Sequence, residues 1–305
     1  MNRVHFQTKL LLFCALFAPL ALGGCGGGGT NVTTLATRLY VAGDALPSTA
    51  VAYFTSPLSA LSTPSATFAT GGGGEVVGLA VDGSGNVIAS DQFLKTVTSY
   101  TRPNPGAAVL SSLSTSFTPT DIAFDSQGKL YVANYNSGGG VDVISTPFSS
   151  SSTVTPLITG LNAADGLCFD TSQNLYVVTY GAASTISVYA PPYTLTPVTV
   201  ATGNNNVDSC AINTSTNQLA VNVVGAFSGK VLVYNLPLTS VSVPAATLTY
   251  SSASSTAVAF DVSGRLYVGV GASVIDVYQP PFTSASTPLF GIPTVNSDNA
   301  MAFGS

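Results

Sequence analysis

The side chains best suited to chemistry in this sequence are a few oxygen donors that recur at one place in a repeated phrase. Asp165, Asp208 and Asn299 each stand immediately before a short apolar segment such as "GLCF" or "AMAF". Carboxylate and amide oxygens are the ligands that Ca²⁺ and other hard divalent cations prefer. Asp91 and Asn134 close neighbouring segments of the same repeat, and we expect them to reach the same place. The sequence therefore predicts a ligand site of these five residues, with Asp165, Asp208 and Asn299 as candidate ligands of a divalent cation.

Missing residue types exclude several kinds of chemistry. His5 is the only histidine and lies in the N-terminal segment, so the rest of the chain has no Ser-His-Asp triad, Cys-His pair or histidine metal site. No catalytic residue is predicted. Apart from Arg3 and Lys9, six basic residues stand against thirteen acidic ones, which excludes a nucleic-acid partner because no basic patch neutralises phosphates. The four glycines at 71–74 lead into no helix and predict a loop rather than a phosphate-binding turn.

The repeated phrase predicts the architecture. Its first segment closes every 43 to 48 residues, and a period of about 40–50 residues is typical of propeller blades. Each copy contains four short strands rich in β-branched and aromatic residues, without a sustained helical period. A proline follows each third strand, where the chain leaves the ladder. The closing positions are Asp82, Asp125, Asp170, Asn213, Asp261 and Gly304, and the prolines are Pro57, Pro103, Pro147, Pro192, Pro237 and Pro281.

The two ends of the repeat array complete one another. The array opens with "RLYVAGD", which matches a second strand, and closes with "NAMAFGS", which matches a first strand. Pairing them closes the ring and leaves no open sheet edge. We therefore predict an all-β, six-bladed β-propeller over residues 38–305, with four antiparallel strands per blade. The recurring aspartates precede turns rich in Gly, Ser and Asn, so they are predicted to be structural.

Cys168 and Cys210 lie in equivalent first strands, offset by one position. Because alternate residues of a strand point to opposite faces, we expect the two side chains to point to different faces. The prediction is two small buried hydrophobic side chains rather than a disulfide.

The phrase "DGLCFDTSQNLYV" and the recurring "VY" of the third strands resemble NHL-type propellers and the calcium-dependent gluconolactonase and senescence-marker family. That resemblance implies a metal held by acidic and amide residues at first-strand starts. Asp165, in "DGL", matches one such position, whereas Asp208 and Asn299 match only in location. The family's glutamate near the N-terminus has no clear counterpart, because Glu75 lies two residues before its blade's position. The resemblance implies a hydrolase in which a divalent cation polarises a lactone carbonyl and activates water.

The first 24 residues have the features of a secretory signal peptide: Arg3 and Lys9, then an apolar run too short to span a bilayer comfortably. The following "LGGC", ending at Cys25, resembles the lipobox of bacterial lipoproteins and implies acylation of that cysteine after cleavage before it. Residues 25–37 are then expected to form a lipid-anchored, glycine-rich tether. Glycine rather than aspartate follows the cysteine, which implies the outer membrane of a bacterial cell envelope. An ordinary signal peptide with a chance cysteine is the alternative.

Three functions are compatible with these features. We expect a monomeric envelope lipoprotein whose propeller is a binding or scaffold module for a partner protein, peptide or glycan at the channel mouth. The first alternative is the metal-dependent, lactonase-like hydrolase. The second is a purely structural envelope protein.

Overall fold

The computed structural model describes residues 37–45, 48–194, 196–225, 228–250, 257–271, 274–294 and 299–304. The signal-peptide and lipid-attachment predictions, including Cys25, lie outside these residues. The described chain forms 24 strands in six four-stranded antiparallel sheets. The predicted all-β, six-bladed propeller is thus confirmed. No helix in the described part of the chain is long and apolar enough to cross a membrane.

Each blade contains four strands, which follow one another from the channel outward. Blade 1 contains β24 (Ala300–Gly304), β1 (Arg38–Ala45), β2 (Ser48–Thr55) and β3 (Ala66–Gly72), and blade 2 contains β4 (Val76–Val81), β5 (Val87–Asp91), β6 (Thr96–Tyr100) and β7 (Val109–Ser114). Blade 3 contains β8 (Pro119–Phe124), β9 (Leu130–Asn134), β10 (Gly140–Ile144) and β11 (Val154–Thr159), and blade 4 contains β12 (Ala164–Phe169), β13 (Leu175–Thr179), β14 (Thr185–Tyr189) and β15 (Val198–Ala201). Blade 5 contains β16 (Val207–Asn213), β17 (Gln218–Val223), β18 (Gly229–Asn235) and β19 (Ala246–Tyr250), and blade 6 contains β20 (Val258–Phe260), β21 (Leu266–Val270), β22 (Val274–Tyr278) and β23 (Phe290–Pro293).

The ring is closed as the sequence predicts, by pairing the last strand with the first. The antiparallel ladder between β24 and β1 runs from Arg38 opposite Gly304 to Ala42 opposite Ala300. Both edges of β1 are therefore hydrogen-bonded, because β2 pairs with its other side. The mixed blade removes the open edge that a linear array would leave.

The hydrophobic core is divided among the blade interfaces. Each of the six clusters of buried residues lies between two consecutive blades. Between blades 3 and 4, for example, the Tyr131 and Phe169 rings meet edge to face with their centroids 4.9 Å apart. A single blade therefore buries its two faces only by packing against both neighbours.

The recurring aspartates hold the turns that follow the innermost strands, as predicted. Oδ1 of Asp170 accepts hydrogen bonds from the backbone N–H groups of Ser172 and Asn174, at 2.9 and 2.8 Å. Its Oδ2 accepts one from Nδ2 of Asn174 at 2.7 Å and one from the Tyr176 hydroxyl at 3.1 Å. The same aspartate–tyrosine bond recurs at Asp125 in blade 3 and Asp261 in blade 6.

A proline follows the third strand in all six blades, as the sequence predicts. Five of the predicted prolines follow a cis peptide bond, but in blade 2 the cis bond precedes Pro105 rather than Pro103.

The prediction for the two cysteines is wrong, because Cys168 and Cys210 form a disulfide with a Cα–Cα distance of 6.0 Å. Both lie in the cluster between blades 4 and 5. Neighbouring blades meet through opposite faces of the repeat. Side chains offset by one position in adjacent blades therefore point toward each other, not apart.

Candidate ligand site at the channel mouth

One end of the central channel gathers the predicted site. The innermost strands begin there and the second strands end there; we call this end the mouth face and the opposite end the lower face. A cavity of about 240 Å³ opens at the mouth face. Its wall contains Glu75, Val77, Gln92, Thr120, Tyr135, Asp165, Tyr180, Asp208 and Asn299. The structure thus brings together three of the five predicted residues, Asp165, Asp208 and Asn299.

β-Bulges near the starts of the innermost strands place the two aspartates. In β12 the pairing with β13 passes from Ala164 to Leu167 with a shift of register, and in β16 the pairing with β17 shifts in the same way between Val207 and Cys210. A bulge leaves the extra residue unpaired and re-aims its side chain. Asp165 and Asp208 lie within these two irregular segments, and both carboxyl groups reach the channel.

Gly166 allows the two aspartates to come close. A Cβ atom at this position would lie 2.7 Å from the backbone oxygen of Asp208 and 2.8 Å from Cα of Ser209. Only glycine therefore permits this approach of β16 to β12 without displacing backbone. The carboxyl groups of Asp165 and Asp208 are hydrogen-bonded to each other, and the Asp165 carboxyl also contacts the Thr120 side chain.

Burial makes these two carboxyl groups weaker acids than an exposed aspartate. Burial raises the pKa of Asp208 to about 7. The hydrogen bond from Asp165 lowers this pKa, and the Glu75 charge adds a smaller increase. Burial also raises the pKa of Asp165 well above its ordinary value, and the neighbouring Asp208 charge raises it further. Two carboxyl groups that face one another do not both ionise easily. At neutral pH the pair therefore retains a proton.

Asp121 is a third channel aspartate that sequence reasoning missed. Its Oδ1 accepts the Ile122 N–H at 2.8 Å, and its Oδ2 accepts the Leu167 N–H of the next blade at 2.9 Å. It lines a deeper channel cavity of about 260 Å³ together with Asp165 and Asp208. Burial raises the pKa of Asp121 to about 7, although the two backbone hydrogen bonds act in the opposite direction. The sequence signal for this residue is in "TDIAFD", because the other copies have Gly, Ser or Ala at the position of Asp121.

Two tyrosines at the mouth were also missed. Tyr135 and Tyr180 follow the second strands of blades 3 and 4, and their ring centroids are 6.2 Å apart in a tilted arrangement. Both are partly buried. Burial raises the pKa of each hydroxyl, and the charges of Asp165 and Asp208 add to the effect. These rings form the aromatic side of a wall that also contains Glu75, Asp165 and Asp208.

Asp91 and Asn134 lie at the mouth face but are not among the residues that line the cavity. Oδ1 of Asp91 accepts three backbone N–H groups, from Glu75, Phe93 and Leu94, at 3.1, 3.0 and 2.8 Å. The amide of Asn134 donates to Oδ2 of Asp142 at 2.9 Å. Their chain neighbours Gln92 and Tyr135 reach the cavity instead.

The candidate metal ligands share one cavity, but the set is small. Asp165, Asp208 and Asn299 supply two carboxyl groups and an amide. Among the residues that the structure describes, no group of three or more His, Cys, Asp and Glu side chains is arranged to hold a metal ion. A hard cation at this mouth would thus depend on two carboxylates supplemented by neutral oxygens.

Comparison with known proteins identifies the fold class only. No protein-family model and no curated protein matches the chain. Among solved structures, one in a nidogen–laminin complex is similar with a TM-score of 0.64 and 14% identity, covering 88% of this chain and 98% of that one. A protein of unknown function from Bacteroides caccae has a TM-score of 0.62 at 14% identity, covering 88% and 99%. The PQQ-bound aldose sugar dehydrogenase from Streptomyces coelicolor has a TM-score of 0.54 at 14% identity, covering 72% and 81%. At these identities the similarity supports the propeller fold alone.

Proposed function

We propose that this chain is a cell-envelope lipoprotein whose propeller binds a partner through the channel mouth. The observation that carries the binding function is the concave, acidic and tyrosine-flanked cavity around Asp165 and Asp208. Ligand sites are typically concave and contain a few convergent polar groups with perturbed pKa values. A structure with this fold exists in a complex of nidogen with laminin, which agrees with use of the fold for protein binding.

The charge of the cavity favours a ligand with a positively charged group. No lysine, arginine or histidine is among the residues that line either channel cavity. Glu75, Asp121, Asp165 and Asp208 contribute four carboxyl groups to the two cavities. An ammonium or guanidinium group would replace the proton held by the aspartate pair, and the rings of Tyr135 and Tyr180 add cation–π attraction. A basic side chain of a protein or peptide partner fits this chemistry better than a neutral glycan.

Support for the proposed membrane anchor comes from the sequence. Arg3, Lys9, the short apolar run and the "LGGC" junction support lipidation of Cys25. Mass spectrometry of the N-terminal peptide should find a diacylglyceryl group on this cysteine. A Cys25→Ala variant should leave the membrane fraction. An unmodified Cys25 in a cleaved, freely soluble chain would overturn this part of the proposal.

Binding at the mouth is tested by titration calorimetry with a panel of short lysine- and arginine-containing peptides, glutamate-rich peptides and neutral oligosaccharides. Basic peptides should bind, and more tightly at pH 8 than at pH 5.5, because the aspartates ionise over that interval. The double variant Asp165→Asn/Asp208→Asn should weaken binding about tenfold or more. Ser151→Ala, at the lower face, is the matched control and should bind like the original chain. Equal binding by the double variant, or preference for acidic or neutral probes, would contradict the proposal.

A metal-dependent hydrolase is the second candidate function, because Asp165, Asp208 and Asn299 line one cavity as the family resemblance implies. A bound cation would polarise an ester carbonyl and activate water there. Ca²⁺, Mn²⁺ or Zn²⁺ should then raise the unfolding temperature, Asp165→Ala should abolish the shift, and a panel of lactones should be hydrolysed. If no cation raises the unfolding temperature and no lactone is hydrolysed, this candidate is excluded. Failure of both the peptide and the metal tests would leave the structural role.

A further inference from the structure

The most exposed apolar side chains lie at the lower face, opposite the ligand site. Leu61, Val241, Val243 and Val262 are 90%, 82%, 77% and 88% exposed, and we call them the apolar rim. The first three lie in loops between third and fourth strands, and Val262 lies between β20 and β21. Because adjacent strands are antiparallel, all of these loops are at the lower face. They belong to blades 5, 6 and 1, which are consecutive in the ring.

The turn that carries two rim residues does not require an apolar tip. Four blades repeat it: the first residue's N–H donates to the hydroxyl of the fourth at 2.8 to 2.9 Å, starting at Ser59, Ser149, Thr239 and Thr283. The third residue is the exposed tip: Leu61, Ser151, Val241 or Ala285. The turn of blade 3 forms with serine at this point. Leucine and valine at the same point are therefore not explained by the turn itself, and exposed apolar residues that share one face are a feature of contact surfaces.

The chain that precedes the propeller enters at the same face. β1 is a second strand, so Arg38 at its start lies at the lower face. Thr37 lies twelve positions after Cys25, and at about 3.3–3.6 Å per position this stretch spans roughly 40 Å at most. A lipid on Cys25 would therefore be tethered to the lower face, which has the shorter path to the bilayer.

The distribution of charge favours the same orientation. Four of the basic residues lie at the lower face, where they offset the four turn aspartates: Arg38, Arg102, Lys129 and Arg265. The mouth face carries the acidic cavity. An anionic bilayer therefore repels the mouth face and does not repel the lower face.

We propose that the apolar rim inserts into the membrane–water interface, so that the propeller rests with its lower face on the lipid bilayer and its channel mouth directed away. This inference rests on the lipid anchor of the proposed function. Apolar side chains at such a surface reach about 5–10 Å into the headgroup region. The anchor supplies proximity, and the rim then fixes the orientation that keeps the mouth open to partners.

The test uses the mature lipidated chain reconstituted in vesicles of phosphatidylethanolamine and phosphatidylglycerol. A polarity-sensitive fluorophore is attached at Val241→Cys, and brominated lipids report contact. Quenching at position 241 should exceed that of the same label at Ser151→Cys, in the matching turn of blade 3, by about threefold. A label at Phe93→Cys, an exposed apolar position on the mouth face, should show no quenching. A chain carrying Leu61→Ser, Val243→Ser and Val262→Ser with the label at 241 should lose the difference while its unfolding curve stays unchanged.

The outcomes separate this inference from the lipid anchor. A chain that lacks the lipid and leaves the vesicles contradicts the anchor. A lipidated, vesicle-bound chain whose label at 241 is quenched no more than the label at 151 overturns the rim's role. A label at 241 that is shielded without vesicles, and increasingly so at higher protein concentration, shows that a second copy covers the rim and also overturns it.

Discussion

Asp165 and Asp170 lie at opposite ends of the same strand, β12, and their surroundings differ in kind. Asp170 accepts four hydrogen bonds from its own turn and from Tyr176. Asp165 is itself buried and faces another carboxyl group at the wall of the mouth cavity. The lower aspartate recurs in most blades, and the mouth aspartate occurs in only two. Recurrence here marks a residue that the fold needs, whereas a departure from the repeat marks a residue that the site needs.

The largest expected effect is a dependence of stability on pH that originates at the mouth. Asp121 and Asp208 have folded-state pKa values of about 7, above the ordinary value of 3.8 that applies to the unfolded chain. Between these values the folded state holds more protons than the unfolded state, so stability falls as pH rises from about 4 to about 7. Unfolding temperatures measured from pH 4 to 8 should decrease, and Asp165→Asn/Asp208→Asn should flatten the curve. A curve that rises over this interval, or a variant as steep as the original, contradicts the assignment.

Removing the lower aspartate should cost more than removing the mouth aspartate. Asp170→Ala leaves the Tyr176 hydroxyl and two backbone N–H groups without their acceptor, which should lower the free energy of unfolding by about 2–3 kcal/mol. Asp165→Ala removes a carboxyl–carboxyl contact and should change it by about 1 kcal/mol or less. Urea denaturation at pH 7 measures both. Equal losses would mean that the two ends of β12 do not differ as the structure indicates.

A smaller effect isolates the tyrosine of the lower motif. Tyr176→Phe deletes the hydroxyl that donates to Asp170 and should cost about 1 kcal/mol. Tyr40 occupies the matching place in blade 1, where Gly304 replaces the aspartate, and its buried hydroxyl has no hydrogen-bond partner among the described residues. Tyr40→Phe should therefore be neutral or slightly stabilising in the same denaturation experiment. A larger loss for Tyr40→Phe than for Tyr176→Phe would contradict the comparison.

Much of the fold could be predicted because the repeat encodes it. Six copies of one phrase fix the strand order, and the incomplete first and last copies predict the ladder from Arg38 to Gly304. The same register placed Asp165 and Asp208 at one cavity. These successes depend only on position along a strand, which alternation and period determine.

The remaining features depend on relations between blades and on bulges. The disulfide of Cys168 and Cys210 requires knowing that adjacent blades meet through opposite faces. Tyr135 and Asp121 each lie one residue beyond a position read from the repeat. Irregular pairing at the strand starts shifts which side chain faces the channel, and no periodicity reports it.

The mixed blade also determines how the protein responds to mechanical force. β1 lies between β24 and β2, bonded along both edges. A pull on the chain at residue 37 acts along the length of β1 and loads both ladders in shear, so that many hydrogen bonds must break together rather than one after another. Any force transmitted by the preceding segment would therefore act on β1, the strand that is hydrogen-bonded to both β24 and β2.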